Sequence, residues 1–156
     1  LFPYTTLFRS SMKVVVQRVQ EASVTVENEV IGAITSGMLI LVCFEQGDED
    51  SCITKSVDKL LKLRIFDDPE GKMNLDIQQV KGEILSVSQF TLSWDGTGGH
   101  RPSFEKSMSP QEARLKYALF NRELRNRGMT VKEGMFGAFM KVALVNDGPV
   151  TFILNF

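Results

Sequence analysis

Ser88-Gln89-Phe90-Thr91 crowds two hydroxyls and an amide into four residues directly after an apolar run. Where a strand ends and the chain bends, backbone N–H groups and the Ser88 hydroxyl can converge on a developing oxyanion, as acyl transfer requires. The alternative is a strand with polar residues on its solvent face, because no acid or base stands beside the segment in sequence. A second candidate is Asn146-Asp147-Gly148-Pro149-Val150-Thr151. Its composition is that of a turn between two strands. Gly-Pro is also a pair in which a cis peptide costs little, and it would bare two carbonyl oxygens as a rigid acceptor pair for a small ligand.

A third candidate is electrostatic. Between Gly99 and Lys132 eight bases stand against three acids, an excess of five, while the whole chain carries 18 Lys+Arg against 19 Asp+Glu and a net charge of -1. Any contact with nucleic acid must therefore be made by a local patch, and this segment is either that patch or a solvated helix face. His100, beside Arg101 in a Gly-rich loop, is the only histidine. It excludes a multi-histidine metal site, and it would have to serve as the base of any Ser-His-Asp triad. Cys43 and Cys52 form no CxxC motif and are too few to staple a secreted scaffold. They are read as reduced thiols in a cytoplasmic protein with no metal and no cofactor.

These residues need elements to position them. Lys13–Val19 and Ser23–Val26 read as strands, and Asn28-Glu29 as a turn into Val30–Ile34. Met38–Phe44 is continuously apolar, as for a strand buried on both faces. Ile53, Val57, Leu60 and Leu61 fall on one face of a helix, and a short strand is expected over Leu63–Phe66. Glu83–Leu92 reads as a strand. Ser109-Pro110-Gln111-Glu112 then combines a cap, a first-turn proline and a capping-box acid, and opens a helix that ends at Gly128. Thr130–Glu133, Ala138–Val145 and Val150–Phe156 are the closing strands.

The expected class is α+β, a mixed sheet or partly closed barrel covered by two main helices. At 156 residues, 43% of them hydrophobic, one domain over 12–156 is expected. No Met precedes Met12, and residues 1–11 (LFPYTTLFRSS) read as a non-native extension rather than a signal peptide. No apolar stretch reaches the ~20 residues of a membrane span.

Taken together, SQFTL at a strand end, GHRPSF after a Gly-rich loop, NDGPVTF near the C-terminus and the opening MKVVVQRVQEASVTV resemble the D-aminoacyl-tRNA deacylase family over essentially all of 12–156. The resemblance implies a homodimeric esterase of that family's fold. It would cleave D-amino acids, and glycine, from the acceptor end of tRNA and spare L-aminoacyl-tRNA. It assigns Ser88, Gln89, Phe90 and Thr91 to the floor of the catalytic pocket. Gly148-Pro149 would be a cis dipeptide inserted into the partner's site, braced by Arg18. Phe139 and Met140 would line the adenosine pocket, and His100 and Arg101 would face the tRNA.

An aminoacyl ester is already activated, and the vicinal ribose hydroxyl can assist its cleavage, so positioning and oxyanion donors matter more than a histidine base. Thr91 is the obvious nucleophile candidate of this motif, but with no base beside it in sequence the favoured reading is a positioning group, with RNA-assisted hydrolysis as the chemistry. Two other readings stay open. One is a dimeric module that binds nucleic acid or adenosine without hydrolysis. The other is a serine esterase using Ser88 or Ser103 with His100, although neither serine stands in GxSxG.

Overall fold

The computed structural model describes residues 11–156. The expected extension over 1–11 therefore lies, apart from Ser11, outside the described residues.

The first strand, β1 (Lys13–Val26), organises the sheet. Sequence alone divides it at Gln20-Glu21, but it runs unbroken because it is paired along both edges. On one edge β3 (Gly37–Cys43) pairs residues 13–19 and β2 (Glu29–Ile34) pairs residues 22–26. On the other edge lies β8 (Lys141–Asn155), also antiparallel. The β1–β2 turn falls one residue earlier than expected, at Glu27 and Asn28, whose φ values of 49° and 66° suit a tight hairpin.

Parallel pairing extends the sheet from β3 to β6 (Glu83–Ser88) and on to β7 (Val131–Glu133). Each parallel step carries a helical crossover: α1 (Ser51–Lys62) lies between β3 and β6, and α2 (Pro110–Asn126) between β6 and β7. The small hairpin of β4 (Phe66–Asp67) and β5 (Met73–Leu75) follows α1. The expected strand over Leu63–Phe66 is therefore confined to its last residue, because only Phe66 and Asp67 find a partner.

The sheet curls until β2 meets β7. A Cβ on Gly32 would lie 3.1 Å from the Glu133 carbonyl, so glycine permits that approach and the sheet becomes a partly closed barrel. Two cores result. Met38, Ile40 and Val42 of β3 face the helices with Val57, Leu60 and Phe120, whereas Leu39 faces the barrel interior with Val24, Leu85 and Val87. This explains the unbroken apolar run of β3, which is buried on both faces. The Ser109 hydroxyl accepts the Glu112 N–H at the start of α2, as the capping signal implies.

Candidate active site

β6 ends at Ser88, earlier than the sequence pattern suggests. The Gln89 N–H makes a last bond to the Val42 carbonyl (2.8 Å), and beyond it neither β3 nor β7 offers a partner. The chain turns into a 3₁₀ segment, Phe90–Ser93, closed by bonds from Leu92 N–H to Gln89 O and from Trp94 N–H to Thr91 O. The N–H groups of Phe90 and Thr91 open this turn and have no acceptor within it.

A cleft of about 580 Å³ sits over the turn. It is walled by the ends of β3 and β6, the start of α2 and the segment Phe136–Met140. Ser88, Gln89, Phe90, Phe139 and Met140 line it together, whereas Thr91 does not. Thr91 instead accepts a hydrogen bond from the Gln89 side-chain amide at 2.5 Å. That neighbour is a donor, so it supplies no base to activate the hydroxyl.

Among the described residues the lining holds no charged side chain and no histidine. Cys43 lines it through a thiol that burial, reinforced by the Glu45 carboxylate, pushes up to about 12. The thiol therefore stays protonated at neutral pH and lies 3.6 Å from the Phe90 carbonyl as a weak donor. Phe90 also packs edge-on against Phe104 (5.0 Å between centroids). On the opposite wall, Met140 folds back so that its sulfur accepts the Met135 N–H (3.4 Å). A Cβ on Gly134 would come within 2.7 Å of that sulfur and would push the Met140 side chain out of this position. Phe139 is 85% exposed at the rim.

His100 and Arg101 are exposed in the 95–102 loop and line no part of the cleft, and neither does Ser103. The loop is tied at its base, where Asp95 accepts from the Thr97 N–H and hydroxyl and from Lys106 Nζ at 2.8 Å. Lys106 first, then Thr97, holds the Asp95 carboxyl well below the usual range. Among the described residues no group of three or more His, Cys, Asp or Glu is placed to hold a metal, and no helix is long and apolar enough to cross a membrane.

The Asn146–Val150 segment is not a chain reversal. Both halves of β8 run antiparallel to β1, and the register steps from Val19–Asn146 to Gln17–Thr151, so residues 147–150 bulge out opposite Arg18. Local turn chemistry misleads here because the partner that keeps the chain extended is some 130 residues away. Arg18, only 7% exposed, holds the bulge. Its Nε donates to the Asp147 carbonyl (3.1 Å), and its Nη1 donates to the Ile65 carbonyl (2.7 Å) and reaches Asp67 (3.3 Å). The Gly148-Pro149 bond is cis, as the family resemblance implies, and both residues are exposed.

Asn146, which the sequence marks only as the first residue of this motif, clasps the bulge. Its Oδ1 accepts the Val150 N–H (2.8 Å) and its Nδ2 donates to Thr151 Oγ1 (2.9 Å). Gly148 has a φ of 134°, and a Cβ there would lie 2.7 Å from Val150 Cγ2. The tip and the cleft are far apart within one chain. Arg18 pairs with Met38 at the start of β3, whereas the cleft begins at Val42 and Cys43, about 15 Å along the strand at ~3.4 Å per residue.

The family model described as D-Tyr-tRNA(Tyr) deacylase matches residues 15–155. A D-aminoacyl-tRNA deacylase of Exiguobacterium sp. is 53% identical over 144 residues, covering 92% of this chain and 98% of the relative. One from Alteromonas mediterranea is 53% identical over 140 residues, covering 90% and 97%. Among solved structures, the c-Myc DNA unwinding element binding protein superposes with a TM-score of 0.87 at 41% identity, covering 91% of this chain and 97% of that one. A probable eukaryotic D-amino acid tRNA deacylase superposes at 0.80 with 18% identity, covering 94% and 100%, a likeness of fold.

Proposed function

The chain belongs to the D-Tyr-tRNA(Tyr) deacylase family, and from that premise we propose that it hydrolyses the ester of D-aminoacyl-tRNA to free amino acid and tRNA. It rejects L-aminoacyl-tRNA and so acts in translation quality control, in the cytoplasm. The supporting observation is a cleft floored by a bent main chain, with donors but without a charged or imidazole side chain in its lining. Such a site suits an ester that is already activated and needs orientation and oxyanion stabilisation rather than a strong base. In this reading the Phe90 N–H and the Ser88 hydroxyl, both from residues that line the cleft, meet the developing oxyanion. Gln89, held by the Thr91 hydroxyl outside the lining, positions the ribose, and its free hydroxyl assists cleavage. Phe139 and Met140 hold the adenine.

The working unit is a homodimer. Gly148 and Pro149 are held rigidly but stand about 15 Å along the sheet from their own cleft, so they serve the cleft of a second copy. Their carbonyls hold the substrate amino group and leave no room for an L side chain. Arg18 acts as the brace. Steric exclusion does not reject an achiral substrate, so glycyl-tRNA is also hydrolysed. His100 and Arg101 meet the tRNA outside the cleft. Residues 12–156 form the single deacylase domain.

The test follows the loss of D-tyrosyl-, L-tyrosyl- and glycyl-tRNA side by side with catalytic amounts of protein. The expected result is rapid loss of the D ester, measurable loss of the glycyl ester and an L ester that decays as in buffer. Binding of D-aminoacyl-tRNA without loss of its amino acid would replace this reading by the binding module. Loss of all three would remove the sieve.

A further inference from the structure

Among the described residues the cleft lining carries no charge, yet the ligand assigned to it is a polyanion with one negative charge per nucleotide. The cation that meets its backbone must therefore stand at the rim. On α2, Ala113 lines the cleft and the next residue, Arg114, is exposed beside it. The Arg114 guanidinium carbon lies 5.0 Å from the centroid of Phe136, which also lines the cleft. Nη2 lies 3.7 Å from the point that a Cβ on Gly137 would occupy, so glycine keeps that flank of the guanidinium uncovered. Stacking uses one face of the planar group and leaves its N–H edge free for a bidentate anion.

The surrounding charges single out this residue. Of the bases between residues 99 and 132, Lys106 pairs with Asp95, Lys116 with Asp50, Arg125 with Glu133, and Arg127 with Glu123 and Asp58. Arg114 is in no ion pair among the described residues, and it is the unpaired base of that segment that stacks on the cleft wall. We propose that Arg114 binds the phosphodiester on the 5′ side of the terminal adenosine. It thereby makes recognition depend on an RNA chain rather than on the aminoacyl-adenosine alone. The inference rests on the deacylase reading of the cleft.

The test compares wild type with Arg114→Gln and Arg114→Lys on two substrates, D-tyrosyl-tRNA and D-tyrosyl-adenosine, the second of which lacks any phosphate. Arg114→Gln is expected to raise KM for the tRNA about three- to tenfold with kcat nearly unchanged, and to leave KM for the adenosine ester as in wild type. Arg114→Lys restores most of the loss. In the glutamine variant the slope of log KM against log salt falls by about 0.7, one single-strand phosphate contact. Equal changes on both substrates would mean that Arg114 merely packs on Phe136, and unchanged values on both would mean that it touches no phosphate. Either result overturns the inference while the deacylase reading stands. A wild-type protein inert on both substrates would overturn the deacylase reading itself.

Discussion

Replacing Arg18 by Met keeps the apolar length of the side chain and removes every donor. Two carbonyls then lose a charged partner: Ile65 O, in a buried bond of 2.7 Å, and Asp147 O at 3.1 Å. An orphaned acceptor of this kind costs about 1–3 kcal/mol, the fully buried one at the upper end. The ion pairs with Asp67 and Asp147 add less, because those carboxylates are 54% and 42% exposed and pairs of that kind are worth at most ~1 kcal/mol. The total is roughly 3–4 kcal/mol, or a fall of about 10–15 °C in melting temperature for a domain of this size. Arg18→Lys keeps one donor centre and should recover less than half. The functional consequence is separate from the thermal one. Without its brace on the Asp147 carbonyl the bulge loses its fixed position, so L-tyrosyl-tRNA should be lost measurably faster at a temperature where the variant is still folded. Thermal melting and L-ester decay on the same preparation read both effects. A variant that melts within about 2 °C of wild type and still spares the L ester would refute the assignment of Arg18 as the brace.

Gly37→Ala should be among the most damaging single-methyl additions in the chain. Its Cβ would lie 1.8 Å from the Glu83 carbonyl at the first β3–β6 pair, so the urea midpoint should reveal a loss of several kcal/mol. Gly71→Ala, in open space at a φ of +78°, should cost about 1 kcal/mol, and equal costs at the two sites would contradict this packing. Burial, helped by nearby carboxylates, pushes the Cys43 thiol up to about 12 and the Cys52 thiol up to about 11. Iodoacetamide at pH 8 should therefore modify neither until the protein is denatured. Above pH ~9 the unfolded chain releases these protons while the folded chain retains them, so stability should fall as pH rises from about 9 toward 12. Replacing both cysteines by alanine should flatten that fall, and an unchanged alkaline slope would exclude the thiols as its source. His100→Ala should leave kcat on D-tyrosyl-tRNA within about twofold of wild type, because His100 lies outside the cleft lining. Abolished turnover would revive the serine-esterase reading.

The parts of the fold that periodicity controls were legible in advance. Met38–Phe44 announces a strand buried on both faces because each alternate residue meets a different core. Ser109 and Pro110 mark the start of α2 through chemistry confined to four residues. What was not legible depends on contacts far apart in sequence. The end of β6 is set by where β3 and β7 stop, which nothing in Glu83–Leu92 encodes. Asn146–Val150 has the composition of a turn, but pairing with β1 on both sides of it makes a bulge rather than a reversal, and Asn146 has a clasping role only once Val150 and Thr151 are folded back onto it. Composition and spacing give Arg18 no distinction inside a strand pattern. Its importance lies in partners 47 and 129 residues away, and the family resemblance alone pointed to it. Phe136 carried no signal and Arg114 only that of one base among eight in the 99–132 segment, since their contact on the cleft wall exists only after α2 has packed against the 134–140 segment.

The central claim is one active site built from two copies of the chain, and subunit mixing tests it most directly. Gln89→Ala damages the cleft and leaves the bulge intact, whereas Gly148→Ala forces its Cβ against Val150 Cγ2 and leaves the cleft intact. Each variant alone should hydrolyse D-tyrosyl-tRNA poorly. After exchange in equal amounts, about half of the dimers are mixed, and each of these has one site with an intact cleft facing an intact tip. Activity should therefore return to about a quarter of the wild-type level, with the L ester spared. If both variants are dimeric and exchange subunits yet the mixture does no better than the average of the two, the tip and the cleft do not meet across two chains, and the account is wrong.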